Sequence, residues 1–392
     1  MNRRHTRTSG AALRSSAAGI SLAAALLPAC GGGSSADGSG TVKVQVSGEE
    51  LATDGILFPQ GSEVVIGDGW EIELSHVLVS IGRVWLSENP DRAPADQSQT
   101  GDVVAEIAGP WIVDLHKEGE EPGAGGEGTA IRIATFDKQN KRGDAPLTAG
   151  EVYAFSFETV GAEAGADLVN LGDDADTAAL VELMVEKGHS VLYAGTATFK
   201  GQACEVSDPA YDFGKLPTTV TFQLGFATPS SSLNCQNQEN QGEPFQGEEY
   251  RRGVTIEDGA ESLAQMTFHL DHPFYSAVTH EPRLYFDQLA AQLVGELEGT
   301  ILTTDHLAGV DPTAFTDGEG TALPFRECDG FAVTDSAERY FETGTLAVDP
   351  TGDPSEALRD YRDYVHYVQS TQGHMNGGEG ICFTKRNYPS PP

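Results

Sequence analysis

Trp70-Glu71-Ile72-Glu73-Leu74-Ser75-His76-Val77-Leu78-Val79-Ser80-Ile81-Gly82-Arg83-Val84-Trp85-Leu86 is the stretch that decides the fold. In its first half, Trp70, Ile72, Leu74, His76 and Leu78 alternate with Glu71, Glu73 and Ser75, the period of two of a half-buried strand. Past Leu78 both faces turn apolar, so the second half is expected to be buried on both sides or bent at Gly82. His76 falls on the apolar face, where a histidine is more often a satisfied core residue than a ligand.

The same pattern recurs on either side. Thr41–Val46 alternates, and Val103–Ile107, Trp111–Leu115, Thr129–Phe136, Val152–Val160, Ser190–Phe199, Thr218–Phe226 and Gln265–Asp271 are further strands, separated by Gly, Pro, Asn and Asp clusters. Many short strands punctuated in this way predict a mainly β fold, a β-sandwich of antiparallel sheets with a few peripheral helices. Three helices are expected. One runs over Asp174–Lys187 and one over Arg283–Leu293. The third lies behind Asp353-Pro354-Ser355-Glu356, which has a cap, a first-turn proline and an acid three residues on, with Leu358, Tyr361, Val365 and Val368 as its stripe. Residues 90–101, 117–128 and 236–249 are polar, loop-like insertions.

The N-terminus carries an address. Arg3, Arg4, Arg7 and Arg14 precede an apolar run, about Ala17–Leu27, that is shorter than the ~20 residues a membrane-spanning helix needs. It closes on Leu27-Pro28-Ala29-Cys30, followed by a Gly/Ser stretch. Leu27, Ala29 and Cys30 resemble the box of bacterial lipoproteins. The resemblance implies cleavage before Cys30 and acylation of that cysteine, and several acyl chains anchor stably where one is marginal. The expected organisation is a signal peptide over 1–29, a tether over 30–40 and a β-rich extracytoplasmic domain over 41–392, with a smaller C-terminal subdomain at 280–392. The partner is then the lipid bilayer, reached through Cys30, and the location is the cell envelope, facing periplasm or exterior. Gly31 after the cysteine favours the outer membrane.

Charge and cysteines agree with that address. Cleavage removes four arginines and no acid, so the net charge of −35 becomes −39. Such an excess argues against nucleic acid and anionic membrane surfaces as partners. Four cysteines remain after Cys30, an even number expected to form two disulfides in an oxidising compartment. Three pairings exist; sequence order favours Cys204–Cys235 and Cys328–Cys382. No Cys-x-x-Cys, His-Glu-x-x-His, Gly-x-Ser-x-Gly or P-loop occurs. Gly123-Ala124-Gly125-Gly126-Glu127-Gly128 fits a dinucleotide fingerprint in letters only, since a strand rather than a helix follows it.

Chemistry concentrates at Thr267-Phe268-His269-Leu270-Asp271-His272-Pro273-Phe274-Tyr275. On a strand His269 and Asp271 share one face, while Met266, Phe268 and Leu270 take the other. Pro273 ends the strand, and the turn is expected to swing His272 toward the pair. Two imidazoles and a carboxylate suit zinc, copper or non-haem iron, with a fourth donor from His76, His116, His280 or His374. Each residue also has an ordinary role: His269 on a solvated face, Asp271 capping the turn, His272 bonded to a backbone carbonyl. Val294–Asp305 can be laid on an EF-hand loop with Glu296, Glu298 and Asp305 as acids, but Val294 occupies the first ligand position, so calcium binding is not expected.

The order of these parts resembles an uncharacterised group of secreted bacterial lipoproteins and periplasmic proteins. The shared parts are the strand at 70–86, Trp-Ile-Val-Asp-Leu at 111–115, Gly-Thr-Ala at 195–197, the His-x-Asp-His-x-Phe-Tyr strand end at 269–275 and the helix with EF-hand-like loop. The resemblance implies no activity. The expected function is a non-enzymatic, membrane-anchored binding protein with a transition metal, zinc or copper, at His269, Asp271 and His272. The alternatives are a structural envelope lipoprotein without metal, or a metal-dependent hydrolase using a base such as Glu281.

Overall fold

The structure is a computed structural model that describes residues 38–58, 66–126, 128–240, 245, 248–278, 283–328 and 341–392. Residues Asp37–Pro392 form one compact unit. The signal segment, Cys30, His280 and Glu281 lie outside the described residues.

The chain is mainly β, with two large, mostly antiparallel sheets. Their principal strands are β1 (Ser39–Ser47), β2 (Trp70–Ser87), β3 (Val103–Asp114), β4 (Thr129–Phe136), β5 (Val152–Thr159), β6 (Val191–Phe199), β7 (Thr219–Phe226), β8 (Ser230–Leu233), β9 (Glu261–Phe268), β10 (Gly373–Met375) and β11 (Phe383–Arg386). The larger sheet runs β7-β6-β2-β5-β8-β11, with β3 on the other edge of β2. The smaller runs β10-β9-β1-β4. Their apolar faces share one core, in which Phe157 of β5 meets Phe268 of β9 edge to face at 5.8 Å.

The long strand β2 behaves as its pattern requires. Its register shifts at Gly82 in the ladders to both β3 and β5. A Cβ at Gly82 would lie 2.5 Å from Val160, so glycine is what fits at the bulge. A second shift lies between Leu74 and His76, which turns His76 off the buried row. Its Nε2 pairs with Thr177 Oγ1 at 2.9 Å, a satisfied half-buried histidine. The two expected strands at 103–107 and 111–115 are one strand, β3. Strand β1 begins at Ser39, so the last two residues assigned to the tether already pair with Leu147 and Thr148.

Of the three expected helices, one matches its extent and two are shorter. Helix α1 (Glu49–Asp54) follows β1. Helix α2 (Ala175–Lys187) matches its pattern: Asp174 accepts from Thr177 N at 2.9 Å and Gly188 closes it in the left-handed region. Leu180 and Met184 pack on Leu78, Ile112 and Leu192, covering the outer face of the larger sheet. The helix expected over 283–293 contracts to α3 (Asp287–Ala290) and a 3-10 turn. Buried Asp68, from a distant segment, accepts from Phe286 N and Asp287 N and sets the start there. Helix α4 (Tyr361–Gln369) starts at Asp360, which accepts from Asp363 N at 3.0 Å; Asp353 instead closes its own turn on Ser355. Within Val294–Asp305, Glu296 and Glu298 are exposed, and Leu302–Thr303 joins β7 as a parallel strand.

The disulfide order is corrected. Cys204 pairs with Cys328 and Cys235 with Cys382. Sequence proximity misled because the last strand, β11, returns to pair with β8 and carries Cys382 beside Cys235. Closing a loop of more than 100 residues contributes about 4 to 5 kcal/mol in the chain-entropy model. Non-reducing peptide mapping is expected to yield Cys204–Cys328 and Cys235–Cys382 linked peptides. A Cys204–Cys235 peptide would refute this connectivity.

Candidate metal centre

Strand β9 is the middle of the smaller sheet, and its neighbours decide what meets at its end. It runs parallel to β1, with Ser47 opposite Thr267, and antiparallel to β10, with His374 opposite Thr267. Two residues past that row stand Glu49 and His269. The strand ends at Phe268, and His272–Phe274 form a 3-10 turn. This turn carries His272 back toward His269.

Three histidines converge. His269, His272 and His374 each offer a ring nitrogen, and these atoms lie within 4.8 Å of one another, close enough to hold a metal ion. The rings of His269 and His374 stack at 4.3 Å, and His272 stands edge-on to both, at 5.7 and 6.0 Å. Among the described residues no second such group of His, Cys, Asp and Glu donors occurs. The place of Asp271 is a correction to the expected ligand set. Because the strand has ended, its alternation does not reach 271, and Asp271 lies outside the donor group. Its carboxyl accepts from Tyr275 Oη at 3.4 Å, and burial pushes its pKa up. Of the proposed fourth donors, His374 joins. His76 is held by Thr177 and His116 by the Ala52 carbonyl at 2.7 Å.

The surroundings orient these rings. Thr371 Oγ1 donates to Val368 O at 2.8 Å, so its lone pair is free for the His272 Nδ1 proton, 2.9 Å away. That fixes the proton on Nδ1 and leaves Nε2 as the electron-pair donor, the arrangement in which outer partners set a ligand's tautomer. The expected bond from His272 to a backbone carbonyl is thus present too, with Val368 O at 3.2 Å, and it serves the site. Both ring nitrogens of His374 are sealed from solvent and have no hydrogen-bond partner. A buried polar atom left without one costs about 1–3 kcal/mol, which a ligand would offset.

Burial, reinforced by the neighbouring His269 imidazole, holds His272 down to about 3, and burial with both neighbours holds His374 well below its ordinary value. These two rings are therefore neutral at pH 7, the form that binds metal. The turn after β10 closes over them. Asn376 Oδ1 accepts from Gln265 N at 2.7 Å, and the Cys235–Cys382 disulfide ties the chain just beyond.

No protein-family model matches the chain, and comparison with curated proteins and with solved structures finds no match either. The two disulfides point to an extracytoplasmic compartment. Among the described residues no helix is long and apolar enough to cross a membrane.

Unfolding frees the His272 imidazole to take a proton near pH 6.5, whereas the folded ring resists protonation until about pH 3. Its contribution to stability is complete above pH 6.5 and is lost as the pH falls toward 3. Chelator-treated protein is therefore expected to lose stability relative to a His272→Asn variant by about 1.4 kcal/mol per pH unit between pH 6 and 4. Parallel urea titrations that give a pH-independent difference would refute the buried neutral ring.

Proposed function

We propose that this chain is an extracytoplasmic, lipid-anchored protein that binds a transition metal ion, zinc or copper, without catalysing a reaction. The observation that carries the reading is the convergence of His269, His272 and His374, with both nitrogens of His374 buried and unpaired. Neutral imidazoles are ligands for both metals. The disulfides support an oxidising location, and the resemblance of Leu27-Pro28-Ala29-Cys30 to a lipoprotein box supports the anchor. A metal-free structural lipoprotein is the alternative, and metal analysis separates the two.

Full-length protein, extracted in detergent and equilibrated with zinc or copper, is expected to retain about one ion per chain after desalting. At a free-metal level 1,000 times Kd, binding would add about 4 kcal/mol of stability. His269→Ala and His374→Gln, each confirmed folded by circular dichroism, are expected to lose the ion. No retained metal in the parent would overturn the reading in favour of the structural alternative.

The anchor is tested separately. Cys30→Ser is expected to abolish metabolic labelling with a radioactive fatty acid and to release the chain from the membrane fraction. Unchanged labelling would exclude Cys30 as the acylated residue.

A further inference from the structure

A cavity of about 530 Å³ opens where β7, the end of α2 and α4 meet, and none of the three clustered histidines lines it. Gln223 and Gly225, on one face of β7, contribute to it. His189 follows the glycine that ends α2 and lays its ring against Gly225, where a Cβ would stand 2.1 Å from His189 Nε2. Only glycine lets ring and strand approach so closely. Helix α2 adds Leu183 and Lys187, and α4 adds Arg362, Asp363 and His366 from one side. Thr304 and Asp305 also line the cavity, and Thr304 Oγ1 donates to Gly225 O at 2.8 Å. Tyr388 Oη donates to His366 O at 3.1 Å, which brings Pro389 and Pro391 into the lining.

The charges in this cavity are unevenly paired. Arg359 is matched: its Nε and Nη2 donate to the Asp363 carboxylate at 2.7 and 2.9 Å. Arg362 is not. Asp305 lies 3.6 Å from it and Asp360 3.9 Å, both beyond hydrogen-bond distance. The Asp360 carboxylate already accepts from Gly309 N and Asp363 N. Among the described residues the Arg362 guanidinium makes no hydrogen bond and Lys187 makes no ion pair. Burial, with the Arg362 charge beside it, holds His366 down to about 4, and burial lowers His189 as well, so neither ring adds charge at pH 7. The lining then carries three cations, Lys187, Arg359 and Arg362, against two carboxylates, Asp305 and Asp363. One positive charge is left over, on a chain with 24 basic and 59 acidic residues. A local basic excess on so acidic a molecule holds an anion where the rest of the surface repels it.

We propose that this cavity binds a small organic monocarboxylate with an apolar body. The Arg362 guanidinium and the Lys187 ammonium take the carboxylate, and Leu183, Leu358, Pro389 and Pro391 take the body. The planar guanidinium fork meets a carboxylate with two parallel hydrogen bonds, and the ammonium adds a point charge. A single excess charge matches a monoanion better than a phosphate dianion. The volume falls among those of small-molecule sites, about 300–1,000 Å³. This site and the histidine cluster stand or fall separately, because they share no side chain.

The probe is 3-phenylpropionate, titrated calorimetrically into the full-length protein with a detergent blank subtracted. Saturable binding at one site is expected. The uncharged 3-phenylpropan-1-ol should bind about 10-fold more weakly or worse, because it offers no charged acceptor to the Arg362 fork. Arg362→Gln should weaken the carboxylate by about 10-fold or more, and Lys187→Gln by less. Ala227→Trp, at an exposed residue of the lining, should fill the cavity and abolish binding without disturbing the core. Glu186→Gln, exposed beside Lys187 and outside the lining, should change nothing. His374→Gln should leave the affinity unchanged, which separates this site from a carboxylate bound to metal. The inference is overturned by no saturable binding, or by equal affinity for the alcohol. Binding that survives both Arg362→Gln and Ala227→Trp, or is lost in His374→Gln, places the probe elsewhere and overturns it too. Inorganic phosphate that binds more tightly than 3-phenylpropionate would overturn the organic carboxylate in favour of an inorganic anion.

Discussion

The parallel pairing of β1 with β9 is the constraint on which the site depends. Its register sets Ser47 beside Thr267, and every group at the cluster follows from that row. Glu49 and His269 leave the sheet side by side, and His374 arrives opposite Thr267 from the antiparallel neighbour. A slip of one residue would turn Val44, Val46, Met266 and Phe268 out of the core, because side chains alternate with a period of two. All four are essentially inaccessible to solvent, so core burial enforces the register and the register places the donors.

Burial then controls the chemistry of those donors. Helix α4 packs its apolar stripe inward, and its C-terminal end presents Val368 O and Thr371 to His272. The same contact that orients the ring excludes water from it and keeps it unprotonated. At Asp287 a buried charge is handled by pairing. Asp287 accepts from Trp70 Nε1 at 2.8 Å and from Arg326 Nε at 3.0 Å, while Arg326 lies over the ring of Phe199. The contrast is informative. Asp287 is matched by partners within the chain, whereas the nitrogens of His374 and Oε1 of Glu49 are not.

Local pattern carried most of the β architecture. Strands β2, β4, β6 and β7 show the alternation and flanking turn residues that strands require, and Gly82 marks its bulge. Helix α2 was legible in kind and extent, the other two in kind only. The start of α3 is set by Asp68, more than 200 residues away, and no window around residue 283 contains that information. At the site, His269 and His272 could be read because one strand end bears both. Asp271 was misread for the complementary reason: alternation was carried past Phe268, where the strand had already become a turn.

The sequence by itself determined the β character, the apolar rows that build the core, the even set of cysteines after residue 200, and a histidine-rich strand end. These depend on neighbours within a few residues, where backbone periodicity is enough. Only the tertiary structure decided the disulfide partners, the arrival of His374 and the place of Glu49 beside His269. Those depend on which distant strands share a hydrogen-bond ladder, and that choice is made by burial of the whole core rather than by any local stretch of chain.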